Sequence, residues 1–188
     1  MHIYLASKSP RRQSLLEQIG VSFDLIDVEI DESTLNGELP LDYVMRMANE
    51  KVKAGWLNMG KKSDVPLLAA DTSVVLENRI LGKPIDKRDA FNMLSLLSGK
   101  THQVITCVSV KNGVKQEMTT SITDVTFCDL SEQQIEFYID TGDCLDKAGS
   151  YGIQGYAARF IKMISGSYSG VVGLPLFETA NLLEGFKN

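Results

Sequence analysis

"VPLLAADTSVVL", residues 65–76, is the stretch on which the fold turns. The run is apolar on successive residues rather than on alternate ones, the pattern of a strand buried on both faces of an α/β sheet. One residue breaks it. Asp71 places a carboxylate in the middle of the run, and an unpaired buried carboxylate costs several kcal/mol or takes up a proton. Asp71 therefore needs a cation, a metal or a rich hydrogen-bond shell. It reads either as a core aspartate satisfied by Thr72 or backbone, or as a functional carboxylate, since perturbed carboxylates concentrate at sites.

Outward from this strand the chain alternates between helix and strand patterns. Residues 2–6 are β-prone, and residues 9–19 have helical spacing, with Ser9 at the N-cap, Pro10 at the first helical position and Gly20 as the stop. "VSFDLIDVEI" (21–30) reads as a strand and "DESTLNGELP" (31–40) as a polar loop. Residues 41–59 form the longest helix, with Leu41, Val44, Met45, Ala48, Val52 and Leu57 as its apolar stripe, before "KKSD" (61–64) breaks the chain. "ENRILGKP" reads as a turn and short return strand, and residues 87–97 as a helix ended near Gly99. Two β-branched runs straddle "KNG" (111–113) as a hairpin. A Ser131-capped helix covers 131–140, and 141–155 is a glycine-rich loop. "ARFIKMISG" reads as a strand, "SYSGVVG" as a loop, and 175–185 as a closing helix. The intermixed elements predict an α/β fold with a mixed sheet, and the lack of a linker predicts a single domain over 1–188.

Composition narrows the classes. Lys and Arg number 19 against 24 Asp and Glu, a net charge of −5, which argues against a whole-surface nucleic-acid footprint. No run of 18 apolar residues predicts a membrane span, and residues 1–20 lack the pattern of a secretory signal. The three cysteines, Cys107, Cys128 and Cys144, are widely spaced, so neither a zinc site nor a disulfide framework is expected, and a reducing cytoplasm is the natural setting.

Several residues could carry chemistry. Arg11 and Arg12 stand in the first turn of a helix, where the N-terminus already carries about half a positive charge and a further cation costs about 0.3–1 kcal/mol. They read either as outward-facing partners of surface carboxylates or as an anion site, with fork geometry matched to phosphate and with Ser7 and Ser9 as added donors. On the second reading both charges should be strained until a ligand relieves them. Glu32 lies in an acidic loop, either solvated or a second ligand for a hard divalent cation. Lys83 in "LGKP" reads as a solvated turn lysine unless an anion is near. His102 reads as a half-buried strand histidine with a backbone partner. "KAGSYGIQG" (147–155) allows close backbone approach to a ligand, and Gln154 could read a base edge or cap a helix.

Taken together and in order, "LASKSPRRQSLL", "AADTSVV", "LGKP", "THQVITCV", "DKAGSYGIQG" and "GLPLFET" closely resemble the Maf family of nucleoside triphosphate pyrophosphatases, from about Ile3 to Leu183. Arg12, Thr72 and the late loop with Gln154 look like the dTTP/UTP-specific subfamily. The resemblance implies a Maf/ITPase-like mixed twisted sheet flanked by helices, with an active-site cleft between two lobes. It implies hydrolysis of dTTP and UTP, with modified pyrimidine triphosphates as an extension, to a nucleoside monophosphate and pyrophosphate. A divalent cation, Mg²⁺ or Mn²⁺, and a cytoplasmic location go with it. Carried over by motif, Asp71 is the proton acceptor, Asp71 and Glu32 hold the metal, and Lys83 completes the catalytic set. Ser7, Arg11, Arg12, Lys51, Thr72 and Gln154 bind substrate. Ser73 replaces the aliphatic residue expected after "ADT". The alternatives are the sister subfamily acting on 7-methyl-GTP, and a nucleotide-sensing module tied to septum formation; a nucleic-acid role comes third. A homodimer fits the general prevalence of such assemblies.

Overall fold

The computed structural model describes residues 1–60 and 64–187. The break expected at 61–64 lies outside the described residues except for Asp64. In chain order the elements are β1 (His2–Leu5), α1 (Pro10–Gln18), β2 (Ser22–Leu25), α2 (Pro40–Asn58), β3 (Leu67–Leu76), β4 (Arg79–Leu81) and α3 (Lys87–Leu97). There follow β5 (Thr101–Lys111), β6 (Gln116–Phe127), α4 (Glu132–Asp140), β7 (Ile161–Ser165), α5 (Tyr168–Val172) and α6 (Leu176–Glu184). Short 3₁₀ turns cover Ala148–Ser150 and Tyr156–Phe160.

The apolar run becomes the axis of a seven-stranded mixed sheet ordered β2-β1-β3-β5-β6-β7, with β4 also on β3. Nine of the ten β3 residues are buried, as a strand covered on both faces requires. β1 is parallel to β2 and β3, while β4, β5, β6 and β7 pair antiparallel. The β3–β4 hairpin closes through Glu77 and Asn78, both with positive φ (49° and 63°), the two-residue turn whose twist matches its strands. Local signals agree with this framework. Asp86 accepts from Asp89 N at the start of α3, and Ser131 and Gln134 form a reciprocal capping box on α4.

Because strand side chains alternate, β3 serves two cores. Leu67, Ala69 and Val75 face α2, where Val44, Ala48, Val52 and Trp56 cover them. Leu68 and Ala70 face a cluster with Leu16, Leu174 and Leu183, and Val74 and Leu76 face another with Leu94, Tyr138 and Phe160. Thr72 falls between the β3 positions that feed these two clusters.

Four expectations need correction. The strand expected over 21–30 stops at Leu25, where pairing with β1 ends and the chain leaves the sheet. Residues 168–172 form a helix rather than a loop, capped by Ser167, whose Oγ accepts from Gly170 N. The strand expected from 158 begins at Ile161, after the 3₁₀ turn. The stripe of α2 is rotated: Met47 and Trp56 are buried, whereas Leu41 and Leu57 are exposed, because the helix lies flat on β3 and β5 through Val44, Ala48 and Val52.

Candidate active site

β5 pairs with β3 along Leu67–Val75, so β1 and β4 must share the other edge. β1 pairs there with Leu67 and Leu68, and β4 with Val74–Leu76. Between them, Ala69–Ser73 has no strand partner on that edge among the described residues. Two segments run toward this gap from opposite ends. Ala6–Ser9 continues the parallel β1 upward, and Gly82–Pro84 continues the antiparallel β4 downward. Asp71 and Thr72 thus sit where the sheet opens, the usual place for a ligand crevice in an open α/β sheet. Ser7 and Lys83 are carried to its two margins.

On the α2 face, Lys51 projects from the middle of the helix to Asp71. Its Nζ donates to Asp71 Oδ1 at 2.7 Å and pairs with Glu32 Oε1 at 2.6 Å. Asp71 Oδ2 has no hydrogen-bond partner among the described residues. Burial pushes the Glu32 carboxyl up, but the hydrogen bond and charge of Lys51, with Lys83 and Arg12 behind it, outweigh this and hold it below the usual range. Tyr43 donates to the Glu32 carbonyl at 2.9 Å and so fixes the acidic loop to α2. Burial, and then the charges of Asp71 and Glu32, push its phenol up to about 12. Cys107, opposite Asp71 in the ladder, is likewise pushed up to about 12 by burial and the Asp71 charge, so it remains a thiol.

On the opposite face, Arg12 reaches across from α1. Its Nε donates to Gly173 O at 2.8 Å, Nη1 to Ser7 Oγ at 3.3 Å and Nη2 to Thr72 Oγ1 at 3.1 Å. Burial lowers the affinity of the Arg12 guanidinium for its proton and Asp71 opposes the shift; arginine stays charged regardless. Two of its five N–H bonds remain for a ligand. Arg11 pairs with Asp146 Oδ2 at 3.6 Å. Arg12 keeps part of the expected strain, since its hydrogen-bond partners are neutral and burial disfavours its charge, whereas Arg11 is relieved by a carboxylate. Both have protein partners, namely Ser7, Thr72 and Gly173 for Arg12 and Asp146 for Arg11. Ser9 stands at the N-cap of α1, but its hydroxyl makes no capping bond; its N–H donates to Ser7 Oγ instead.

The structure brings Asp71, Glu32 and Lys51 into one ionic cluster, and Ser7, Arg12 and Thr72 into one hydrogen-bonded group. Lys83 is exposed but lies close enough to act electrostatically on Glu32. Gln154 is exposed and makes no hydrogen bond or ion pair with the others among the described residues. Its loop is nevertheless docked at the gap, since Gly149 N donates to Gly82 O at 3.0 Å. Gly149 also lies so close to Val74 that a Cβ there would meet it at 2.8 Å. His102 corrects another expectation: it is buried, and its Nε2 lies 2.7 Å from Tyr151 OH rather than from backbone. Four participants went unseen in the sequence. Tyr43 and Thr106 look like ordinary helix and strand residues, and the Gly170 and Gly173 carbonyls come from the unexpected helix α5 and the residue that ends it.

A sheet open at Asp71, with a carboxylate pair on one face and Arg12 on the other, defines an α/β protein with a charged opening in its sheet. The Maf-like protein family model matches residues 2–186, and the chain belongs to the Maf family. The dTTP/UTP pyrophosphatase of Chromobacterium violaceum is 51% identical over 186 residues, covering 98% of this chain and 94% of its own. The protein of the same name from Saccharophagus degradans is 50% identical, covering 98% and 89%. Among solved structures, the Staphylococcus aureus Ham1 protein shares the fold, with a TM-score of 0.51 at 14% identity and full coverage of both chains.

Proposed function

We propose that this protein is a nucleoside triphosphate pyrophosphatase that hydrolyses dTTP and UTP, and modified pyrimidine triphosphates of the same class, to the monophosphate and pyrophosphate. The support is a cation-lined opening in the sheet beside a paired carboxylate, in a chain about half identical to proteins named for that activity. On this reading a single unit over residues 1–188 carries the whole site.

Asp71 accepts the proton of the attacking water at Oδ2, while Lys51 fixes Oδ1 and keeps the carboxylate oriented. Arg12, through its two uncommitted N–H bonds, together with Arg11 and Lys83, holds the phosphate oxygens and stabilises the charge on the departing pyrophosphate. Ser7 orients Arg12 and adds a hydroxyl at the phosphate end. Thr72 and Gln154 read the pyrimidine edge.

The residues also fit a divalent cation, Mg²⁺ or Mn²⁺. Glu32 and Asp71 already converge on one cation, the Lys51 ammonium, with oxygens 2.6 and 2.7 Å from it. No cluster of three His, Cys, Asp or Glu side chains suited to a metal occurs among the described residues. Two carboxylates suit a hard cation that completes its shell with substrate oxygens and water. When bound there it supplies Lewis acidity toward phosphate and lowers the pKa of coordinated water.

The reading places the protein in the cytoplasm, with a nucleotide rather than a nucleic acid as its ligand; no helix among the described residues is long and apolar enough to cross a membrane. The test is pyrophosphate release from a panel of dTTP, UTP and 7-methyl-GTP with Mg²⁺. Release from dTTP and UTP is expected. Preference for 7-methyl-GTP, or tight binding without release, would sink the proposal.

A further inference from the structure

Thr106 is fully buried on β5, directly opposite Thr72 in the β3–β5 ladder. Its Oγ1 lies 2.8 Å from Gly170 O and 2.9 Å from Thr72 Oγ1. A hydroxyl has one proton and a carbonyl has none, so the Thr106 proton goes to Gly170 O. The Thr72–Thr106 bond is then made by the proton of Thr72. Arg12 Nη2, which can only donate, approaches the same Thr72 oxygen at 3.1 Å. The chain of bonds thus has one direction, from Arg12 to Thr72 to Thr106 to Gly170 O. Thr72 is left with no proton for a ligand and one lone pair free.

Thr72 is also the one residue of β3 that is half-buried rather than buried, and it borders the gap in the sheet. Its neighbours pack at ordinary van der Waals distance. A Cβ on Gly173 would stand 3.6 Å from Thr72 Oγ1 and 3.7 Å from Arg12 Nε, and Gly173 has φ +127°, which other residues rarely adopt. Both carbonyl acceptors, Gly170 O and Gly173 O, are therefore fixed by α5 and its C-terminal turn.

We propose that Thr106 is a positioning residue for base recognition: by donating to Gly170 O it presents Thr72 to the nucleotide as an acceptor only. An acceptor selects a pyrimidine whose N3 carries hydrogen, as in uracil and thymine, over cytosine, whose N3 presents a lone pair. A site built for a donor discriminates strongly against a ligand lacking it, because its own acceptor is left unmet. The inference deepens the pyrimidine triphosphate reading and rests on it.

The test is calorimetric binding of the α,β-imido analogues of UTP and CTP, which cannot be cleaved at that bond, with Mg²⁺ present. Wild type should favour the uridine analogue by roughly tenfold or more, the scale of one well-placed hydrogen bond. Thr106→Val keeps the shape and removes the donor acceptor pair, so the Thr72 proton is free to turn toward the ligand. Its uridine-to-cytidine preference should collapse to within about threefold, on the same scale, while Thr106→Ser retains the wild-type ratio. A merely structural role would lower both affinities together. An unchanged ratio in Thr106→Val overturns the proposal, and so does equal affinity in wild type, which decides the matter even where the valine variant fails to fold. Pyrophosphate release from UTP and dTTP is measured alongside. Discrimination without release overturns the pyrophosphatase reading and upholds the role of Thr106; release with an unchanged ratio does the reverse.

Discussion

Asp71 and Thr72 are adjacent in the chain and face opposite sides of β3, and the two sides are built on different physics. On the α2 side, two carboxylates each stand within 2.7 Å of Lys51 Nζ. Their attraction is set by charge and by partial burial, with little directional demand. On the other side, a neutral hydroxyl pair links an arginine to a backbone carbonyl, and direction is everything. A strand edge left unpaired for five residues lets one cleft use both faces. On the proposed reading, the charged side moves a proton and the hydrogen-bonded side recognises the base and holds phosphate.

The sharpest way to break the comparison is Asp71→Asn. The amide keeps the shape and removes the proton acceptor, so turnover should fall by about 10²–10⁴, the usual contribution of a general base. The melting temperature should change little, because Lys51 retains Glu32. Near-normal pyrophosphate release with the fold intact would remove Asp71 from the role of base.

Next in size is Lys51→Met. It leaves two carboxylates facing each other, with the Asp71 side chain only 12% exposed. Breaking a buried pair by removing one partner costs about 3–5 kcal/mol, and the half-exposed Glu32 reduces this to about 2–3 kcal/mol in chemical denaturation. Adding Asp71→Asn to Lys51→Met should restore most of that loss. If the double variant is as unstable as the sum of the singles, the cluster is not held by charge.

The two sides were not equally legible in the sequence. Asp71 stood out because a carboxylate in a run that otherwise reads as buried demands a partner, and that logic needs only local pattern. The partner did not follow from it. Lys51 lies twenty residues earlier on a helix of ordinary appearance, and only the resemblance singled it out. Arg11 and Arg12 were conspicuous as cations at the wrong helix end, but their partners Asp146, Thr72 and Gly173 come together only through the fold. Thr106 was invisible, because its role lies in the direction of a proton between two hydroxyls. The helix at 168–172 gives little helical signal because four of its five residues are small or β-branched, and its Ser167 cap competes with the reading of a serine-glycine loop.

An effect confined to acid pH separates the titratable cluster from the rest of the molecule. His102 lies at the far end of β5, sealed beneath Tyr151 and Phe127, and burial lowers its pKa to about 4 from the usual 6.5. The unfolded chain therefore binds a proton through this window that the native state refuses. The stabilisation is whole above about pH 6.5 and falls by about 1.4 kcal/mol per pH unit as pH drops toward 4. His102 should remain neutral by NMR titration down to near pH 4, and replacing it with Gln should flatten the acid slope of stability. An imidazole that titrates near 6.5 in the native protein contradicts its burial.

The least effect is expected at Arg11, and it tests how far the recognition side extends. Arg11 is about a third exposed and its partner Asp146 about two thirds, at 3.6 Å, so the pair contributes at most about 1 kcal/mol to stability. Burial pushes the Asp146 carboxyl up, but Lys147 and Arg11 together hold it below its usual range, so the arginine is already neutralised when a polyphosphate arrives. Binding must first break that pair, which offsets much of what the new contact contributes. Arg11→Ala should therefore weaken triphosphate binding by only about two- to fivefold, as a partly screened surface charge does. Asp146→Asn should tighten it by a similar factor, because Arg11 is then released toward the gap. If Asp146→Asn weakens binding instead, Asp146 holds Arg11 in the binding position rather than competing for it.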